Sequence, residues 1–258
     1  MKDINEFENR IILGNSLTIM KDIPSGKIDL IFADPPYNIG IKYDTHKDRM
    51  NYNDYIGWSE EWIKGCVRLL SDKGSIYIAI NDEHVAEIVM ILKRLGLTMR
   101  NWIVWHYTFG QAQKKKFSRA HTHIVYFTKD KNDFIFNADN IRVKSVRQEI
   151  GDKRANPKGK IPDDVWQNGE SNGEDVWKIS RVAGTFKERV KDFPCQMPVK
   201  ILERIISVSS NKENMVLDPF SGSGTTAFVS KKLGRKYIGI EISNKYKKMA
   251  EDRLKSIL

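Results

Sequence analysis

A short run near the start of the chain combines a carboxylate, two prolines and an aromatic ring. The apolar run 28–33 is followed directly by Asp34, Pro35, Pro36 and Tyr37. Consecutive prolines exclude a helix and donate no backbone hydrogen bonds, so the loop is stiff and its carbonyl groups stay free as acceptors. These groups suit a planar base with an exocyclic amino group, since the Asp34 carboxylate and the Pro35 carbonyl accept its two hydrogens while Tyr37 stacks on the ring. The alternative is an ordinary turn with Tyr37 in the core.

A glycine-rich turn lies much later, at 218–227, with the sequence DPFSGSGTTA. Gly222, Gly224 and Ala227 have the G-x-G-x-x-A spacing, between an apolar run and an amphipathic stretch. Glycines let a ligand approach the backbone, and the first turn of the following helix presents free N–H groups. Glu241 ends the next apolar run, 17 residues after Gly224, where its carboxylate can accept hydrogen bonds from both ribose hydroxyls. Together these features predict a nucleoside-containing cofactor.

Short apolar runs alternate with amphipathic stretches along the chain. This alternation predicts a mostly parallel sheet covered by helices, and these elements would position the two motifs. The segment 151–175 holds four glycines and two prolines and is expected to be a surface loop. Two tryptophan pairs, Trp58 with Trp62 and Trp102 with Trp105, are expected in the core. Expected strands are 11–13, 28–33, 75–80, 101–107, 123–128, 215–217 and 237–242, and expected helices are 54–70, 83–95, 225–233, one from Pro198 and one from Asn244.

The charge balance points to a polyanionic partner. The 258 residues carry 43 Lys and Arg against 33 Asp and Glu, a formal net charge of +10, and such a surplus favours nucleic acid. Segments 114–119 and 142–160 are the basic runs expected to face phosphates, although a solvated surface explains either run equally well. No apolar run reaches the roughly 18 residues of a membrane helix, so a cytoplasmic protein is expected. Cys66 and Cys195 have no metal-ligand spacing, and no metal is expected.

Asp-Pro-Pro-Tyr followed by Asp-Pro-Phe-x-Gly-x-Gly-Thr-Thr resembles the motifs of amino-group DNA methyltransferases that use S-adenosylmethionine. Because the catalytic motif comes first, the order resembles their circularly permuted β class, and the similarity extends from IILGNSL to KYIGIEIS. The resemblance implies an α/β fold: a Rossmann-like, circularly permuted, mostly parallel sheet flanked by helices, with an inserted target-recognition region. Residues 1–129 and 193–258 would form the catalytic, S-adenosylmethionine-binding domain, and 130–192 the target-recognition region.

The resemblance also assigns contacts to the cofactor. Thr225 and Thr226 would cap the helix beneath the methionine carboxylate, Glu241 would hold the ribose, and Asn15 would face the adenine where many relatives have Asp. No contact is assigned in the stretch 193–198, where three of six positions differ from the family pattern. The residues that the resemblance places at the cofactor are Asn15, Ser16, Asp34, Asp218, Phe220, Gly222, Ser223, Gly224, Thr225, Thr226 and Glu241.

The implied reaction is methyl transfer to the N6 amino group of an adenine flipped out of double-stranded DNA. An aromatic amino group is a poor nucleophile because its lone pair is delocalised into the ring. Two acceptors that draw its hydrogens out of the ring plane localise the lone pair and aim it at the sulfonium methyl, so positioning is the main demand. A homodimer and a cognate restriction endonuclease are further partners raised by the resemblance.

Other functions compete with this one. An N4-cytosine DNA methyltransferase is the nearest alternative, although members of that group more often show Ser-Pro-Pro-Tyr. RNA methyltransferases of amino groups more often have Asn-Pro-Pro-Tyr or Phe. A nicotinamide-dependent oxidoreductase would use the glycine-rich turn but leaves Asp-Pro-Pro-Tyr unexplained. A DNA-binding module that has lost catalysis would need a broken motif, and neither motif is broken. The sequence does not predict the DNA recognition site.

Overall fold

The computed structural model describes residues 2–45, 48–111, 114–166, 179–182 and 186–257 and shows one mixed sheet with helices on both faces. The strands in these ranges are β1 (Arg10–Leu13), β2 (Ile28–Ala33), β3 (Leu70–Ile80), β4 (Thr98–Gln111), β5 (Arg119–Thr128), β6 (Val165–Trp166), β7 (Met215–Asp218) and β8 (Lys236–Glu241). The helices in the same ranges are α1 (Ser16–Asp22), α2 (Tyr52–Leu69), α3 (Val85–Arg94), α4 (Val146–Glu149), α5 (Val199–Ser209), α6 (Thr225–Lys232) and α7 (Asn244–Lys255).

The described strands form a single sheet in the order β1-β8-β7-β2-β3-β5-β4-β6. Strand β5 runs antiparallel to both neighbours, and the other pairs are parallel. The prediction of a mostly parallel sheet flanked by helices is therefore confirmed. Two neighbouring strands near the middle of the sheet come from distant parts of the chain, since β7 lies beside β2, and this is the permuted order that the motifs indicate.

Side chains of the central strands alternate between two apolar cores. In β2, Ile31 and Ala33 enter the core covered by α1, α2 and α3, whereas Leu30 and Phe32 enter the core covered by α5 and α6. Helix α7 packs against α6 and β1. Because both faces of β2 are buried, its sequence is a nearly continuous apolar run. None of the described helices is both long enough and apolar enough to span a bilayer.

The carboxyl ends of the parallel strands meet at one edge of this sheet. The chain leaves β7 towards β8 and leaves β2 towards β3, so a crevice opens between β7 and β2, the usual place for a ligand in such sheets. Asp218 ends β7, Glu241 ends β8, and Asp34 follows β2 directly. The sheet therefore gathers three carboxylates from opposite ends of the chain.

Several expected elements differ in the structure. Helix α1 was not expected from the sequence; it has seven residues, of which only Met20 is buried, so its apolar pattern is weak. Part of the segment 151–175 is not loop, because β6 pairs with β4, while 167–175 lies outside the described residues. Trp62 and Trp105 are buried as expected, but Trp102 is 37% exposed. Residues three apart on a strand point to opposite faces, so Trp102 and Trp105 cannot share one core.

Candidate active site

A cavity of 360 Å³ opens at the carboxyl edge of the sheet and brings the two sequence motifs together. We call residues 34–37 the proline loop and residues 218–227 the glycine turn. Of the residues predicted for catalysis or cofactor binding, only Gly224 does not line this cavity. Those that line it are Asn15, Ser16, Asp34, Pro35, Pro36, Tyr37, Asp218, Phe220, Gly222, Ser223, Thr225, Thr226 and Glu241.

Two side chains from neighbouring elements hold the backbone of the proline loop. The Tyr55 hydroxyl, in the first turns of α2, donates to the Pro36 carbonyl over 2.8 Å. The Asn81 side-chain amide, just beyond β3, donates to the Tyr37 carbonyl over 3.4 Å. Among the described residues, no donor reaches the Pro35 carbonyl. The Pro35 carbonyl therefore stays open as an acceptor, while the next two carbonyls, of Pro36 and Tyr37, already accept hydrogen bonds.

The carboxylate of the proline loop is bonded within the loop itself. The Tyr37 hydroxyl donates to Asp34 Oδ1 over 2.6 Å, a contact that the sequence did not predict. Burial raises the pKa of Asp34 to about 6, and the hydrogen bond from Tyr37 opposes this rise. Burial, reinforced by the Asp34 charge, also raises the pKa of Tyr37, so its hydroxyl stays protonated and remains a donor. Asp34 Oδ2 takes no part in this bond.

The chain beyond the proline loop crosses to the other side of the cavity. Asp48 is buried and accepts backbone N–H bonds from all four residues of 38–41, over 2.6 to 3.1 Å. The Ser243 hydroxyl donates to Asp44 Oδ2 over 2.6 Å, and the Asp44 N–H donates to the Tyr246 hydroxyl over 3.2 Å. This segment therefore joins the proline loop to the residues that follow β8.

Asp218 organises the start of the glycine turn. It is buried, and it accepts the Phe220 N–H at Oδ1 over 3.0 Å and the Thr226 hydroxyl at Oδ2 over 2.6 Å. Burial raises the pKa of Asp218 to about 7, although both hydrogen bonds oppose the rise. A buried carboxylate on a cavity wall favours a cationic ligand, because a nearby positive charge stabilises its ionised form.

Glu241 fixes the other end of the glycine turn. Gly222 N–H donates to Oε2 and Ser243 N–H donates to Oε1, each over 2.8 Å. Burial raises the pKa of the Glu241 carboxyl, and these backbone donors oppose that rise. A carboxylate oxygen can accept more than one hydrogen bond, so Glu241 retains acceptor capacity towards the cavity.

The threonines of the glycine turn do not cap α6, and that prediction is wrong. The cap position is Gly224, with φ +74°, and within the described part of the chain no side chain bonds the free N–H groups of the first turn. Both threonines already lie inside the helix, one and two residues past the position from which a side chain caps it. Thr226 instead donates to Asp218, and Thr225 accepts from the Arg253 guanidinium over 2.8 Å.

Gly224 is explained by packing as well as by conformation. A Cβ added there would lie 2.7 Å from Ala250 Cβ and 3.1 Å from its Cα. At Gly222 an added Cβ would lie 2.7 Å from Phe193 Cζ. The two glycines therefore let α7 and the Phe193 ring approach the turn closely, a reason that differs from the ligand approach expected from the sequence.

Aromatic residues of α2 line the cavity, and sequence reasoning missed their part in it. Trp58 and Trp62 line it, and they share one face of the helix with Tyr55. The Phe220 ring of the glycine turn lies 5.6 Å from the Trp58 ring and 5.2 Å from the Trp62 ring, between centroids. The available signal was the helical spacing of these rings, which predicts a buried face but not that the face meets a ligand cavity.

The stretch 193–198 also closes the cavity, although no contact was assigned to it. Phe193, Cys195 and Met197 line the wall, with Phe193 stacked edge-on against Tyr246 at 4.9 Å. Burial raises the pKa of the Cys195 thiol to about 11, so it stays neutral.

The segment after β1 contributes the remaining predicted positions. The Asn15 side-chain oxygen caps α1 by accepting the Leu17 N–H over 2.8 Å. The Ser16 hydroxyl donates to the Pro219 carbonyl over 2.5 Å. Because its oxygen serves the helix, Asn15 presents its amide nitrogen as the group left for a ligand.

Comparisons with known proteins agree on one family. The model of a DNA methylase family matches residues 28–252. The chain is 39% identical to the type II methyltransferase M.HpaI of Haemophilus parainfluenzae, over 96% of this chain and 75% of the relative. It is 38% identical to the DNA adenine methyltransferase YhdJ of Escherichia coli K12, over 95% and 82% of the two chains. The fold matches the crystal structure of the M1.HpyAVI–SAM complex with a TM-score of 0.65, at 23% identity over 95% and 98% of the chains.

Proposed function

Because this chain belongs to the DNA methylase family, we propose that it is a site-specific DNA methyltransferase acting on the N6 amino group of adenine. One observation carries the proposal: Asp34 and the open Pro35 carbonyl lie in the same cavity as the glycine turn. An amino group bound by the first pair is thereby close to a cofactor bound by the second. The family match does not favour the nicotinamide-dependent oxidoreductase alternative.

S-adenosylmethionine fits the residues present. Its sulfur and ammonium groups are positively charged, and burial raises the pKa of three cavity carboxyls: Asp34, Asp218 and Glu241. A cationic ligand offsets the unfavourable burial of their negative charges. Glu241 has acceptor capacity for ribose hydroxyls, and the uncapped first turn of α6 offers N–H groups to a carboxylate. The cofactor supplies a methyl group bonded to a positively charged sulfur.

This chain's residues contribute acceptors and geometry to the transfer. Asp34 and the Pro35 carbonyl accept the two hydrogens of the target amino group, which localises the nitrogen lone pair and directs it away from both acceptors. As the target nitrogen bonded to the methyl group that the cofactor would supply, and the bond from that group to sulfur broke, Asp34 would accept the proton that the nitrogen loses. Tyr55 holds the Pro36 carbonyl in place, and Asn81 holds the Tyr37 carbonyl. Fixed acceptors need no reorganisation during the reaction.

The base must leave the duplex before this pair can reach it. An amino group paired inside DNA is inaccessible to a cavity at the sheet edge, and flipping costs a few kcal/mol. We assign Tyr37 to stacking on the flipped base, which requires its hydroxyl to release Asp34 Oδ1.

Adenine is preferred to cytosine on two grounds. The first residue of the proline loop is Asp, whereas cytosine-N4 enzymes more often have Ser, and a relative at 38% identity is named a DNA adenine methyltransferase. Incubation with labelled S-adenosylmethionine and unmethylated DNA, followed by digestion to nucleosides, tests this choice. Label in N6-methyladenine is expected, and label in N4-methylcytosine would overturn the adenine assignment.

We further assign residues 130–192 to target recognition and residues 1–129 and 193–258 to catalysis and cofactor binding. Exchanging 130–192 with the matching segment of a relative should change the methylated sequence while leaving cofactor affinity unchanged.

A homodimer is proposed and is tested by light scattering at working concentration. A cognate restriction endonuclease is proposed because M.HpaI is a type II enzyme, and a DNA substrate in the cell favours a cytoplasmic location.

A further inference from the structure

Phe117 is fully exposed at the tip of a hairpin. Its side chain is 99% exposed, more than any other large apolar side chain in the described part of the chain. Single exposed apolar residues are common on protein surfaces, but this one follows three consecutive lysines in the connection from β4 to β5. An aromatic ring within a cationic run fits a partner that offers both phosphates and base faces.

The hairpin lies at the catalytic edge of the sheet. Gln111 of β4 pairs with Arg119 of β5 at the base of the connection. The Arg119 guanidinium bonds Asp82 over 2.7 Å, and Asp82 follows Asn81, which donates to the Tyr37 carbonyl. Phe117 is two residues from Arg119, so their Cα atoms are within about 7 Å of each other. The hairpin is therefore linked, through Arg119, Asp82 and Asn81, to the edge of the sheet at which the proline loop lies.

The lysines of the tip have no acidic partners among the described residues. Lys114, Lys115 and Lys116 are exposed, and no ion pair or hydrogen bond occupies them. Arg119, which was expected to face phosphates with them, is committed to Asp82. Phosphate contacts at the tip therefore fall to the three lysines.

Building on the proposed function, we propose that Phe117 is a wedge that enters the base stack of DNA beside the target adenine. The ring occupies the space that the flipped base leaves, and the three lysines hold the flanking phosphates. Apolar side chains inserted between bases stabilise an opened stack by replacing the lost base contacts with ring contacts. Phe117 thus stabilises the flipped state without touching the reacting atoms, and it is a positioning residue.

Two duplexes with the methylation site separate a wedge from an ordinary contact. One is fully paired, and the other has an abasic position opposite the target adenine, so its base is already unpaired. Phe117→Ala should lower kcat/KM on the paired duplex roughly 10- to 100-fold, the scale of lost stacking, and should stay within about threefold of the wild type on the abasic duplex. Phe117→Trp should retain the wild-type rate on both.

Two controls accompany this test. Replacing Lys114, Lys115 and Lys116 together with Ala should lower binding to both duplexes equally and reduce the salt slope by up to about 3. Met90→Ala removes an exposed apolar side chain, 54% exposed, from α3 and should change neither rate. Because Phe117 contacts no core, the melting temperature of Phe117→Ala should equal that of the wild type.

Equal losses of Phe117→Ala on the two duplexes would overturn the wedge, because a simple contact is indifferent to pairing. Wild-type kinetics of Phe117→Ala on the paired duplex would overturn it as well. Failure of the wild-type enzyme to methylate either duplex would instead overturn the proposed function, and the wedge with it. The wild-type reaction therefore distinguishes the two failures.

Discussion

The proline loop and the glycine turn face each other across one cavity, yet they are held in different ways. The proline loop is held from outside, by Tyr55 and Asn81 on its carbonyls. The glycine turn has hydrogen bonds to Asp218 and Glu241 and is, in addition, closely packed, with Gly224 against Ala250 and Gly222 against Phe193. A loop held by separate hydrogen bonds loses precision when one bond is removed, whereas a turn held by packing loses stability. Substitutions in the two halves should therefore have different effects.

Asp34→Ala should give the largest effect and should leave the cofactor half mostly intact. Without its acceptor, kcat should fall on the order of 10³-fold or more, while the dissociation constant for S-adenosylmethionine rises less than about tenfold. Single-turnover methylation and calorimetric titration measure the two quantities. Asp218→Asn is the matched change in the other half and should show the reverse pattern, with weaker cofactor binding at nearly normal kcat. Turnover by Asp34→Ala at the wild-type rate would remove Asp34 from the mechanism.

Gly224→Ala should act on stability in the glycine turn. The added Cβ combines a left-handed φ with the contact to Ala250, and we expect a loss of about 2 to 4 kcal/mol in the free energy of unfolding. Gly26→Ala is the matched control, since Gly26 has φ +69° with no atom within 4 Å of an added Cβ and should lose only about 1 kcal/mol. Urea unfolding measures both, and equal losses would show that the packing against α7 is unimportant.

The acid limb of the pH profile should report the carboxylates of both halves. Asp34 can take the proton that the target nitrogen loses only when its carboxyl is ionised, so kcat/KM for the cofactor should fall below pH 6 to 7, where Asp34 and Asp218 become protonated. Stability changes in the opposite direction: the folded pKa of Asp34 is raised from 3.8 to about 6, so ionising it costs stability as pH rises through that window. At saturating cofactor the acid limb should move to lower pH, because the positive charge of the bound cofactor favours the ionised carboxylates of Asp34 and Asp218. A profile flat between pH 5 and 7 would contradict this.

Tyr55→Phe should give the smallest effect and should act on the proline loop alone. Removing the hydroxyl frees the Pro36 carbonyl, which should lower kcat several-fold and stability by about 1 kcal/mol, with cofactor affinity unchanged. Tyr52→Phe, on the same helix, removes the hydrogen bond that the exposed Tyr52 donates to Glu87 and should change nothing measurable. A change in cofactor affinity with Tyr55→Phe would show that the two halves are not separable.

The arrangement of the site could be predicted where the signal is local in sequence. A buried strand running into two prolines, and a glycine pattern between a strand and a helix, place Asp34 and Asp218 at strand ends. Parallel strands then bring both carboxylates to one edge. The fold was predictable for the same reason, since apolar runs such as 28–33 are long and regular.

What could not be predicted depends on contacts between distant segments. Nothing around Tyr55 indicates that its hydroxyl reaches Pro36, or that Trp58 and Trp62 meet Phe220 from the far end of the chain. Trp102 was misplaced because its exposure depends on which face β5 and β6 leave open. In the segment 142–160, Arg142 pairs with Asp139 and Arg154 pairs with Asp152, so its positive charge is partly neutralised locally.

Strand order also governs how the enzyme matures during synthesis. Among the described strands, β1 lies at the edge of the sheet and pairs with β8, and β2 pairs with β7 on one side and with β3 on the other. The proline loop therefore leaves the ribosome early, but β7 and β8, which carry the cofactor half of the cavity, begin only about 180 residues later. A nascent chain stopped before β7 lacks the glycine turn and Glu241, so it has no complete site for a methyl donor.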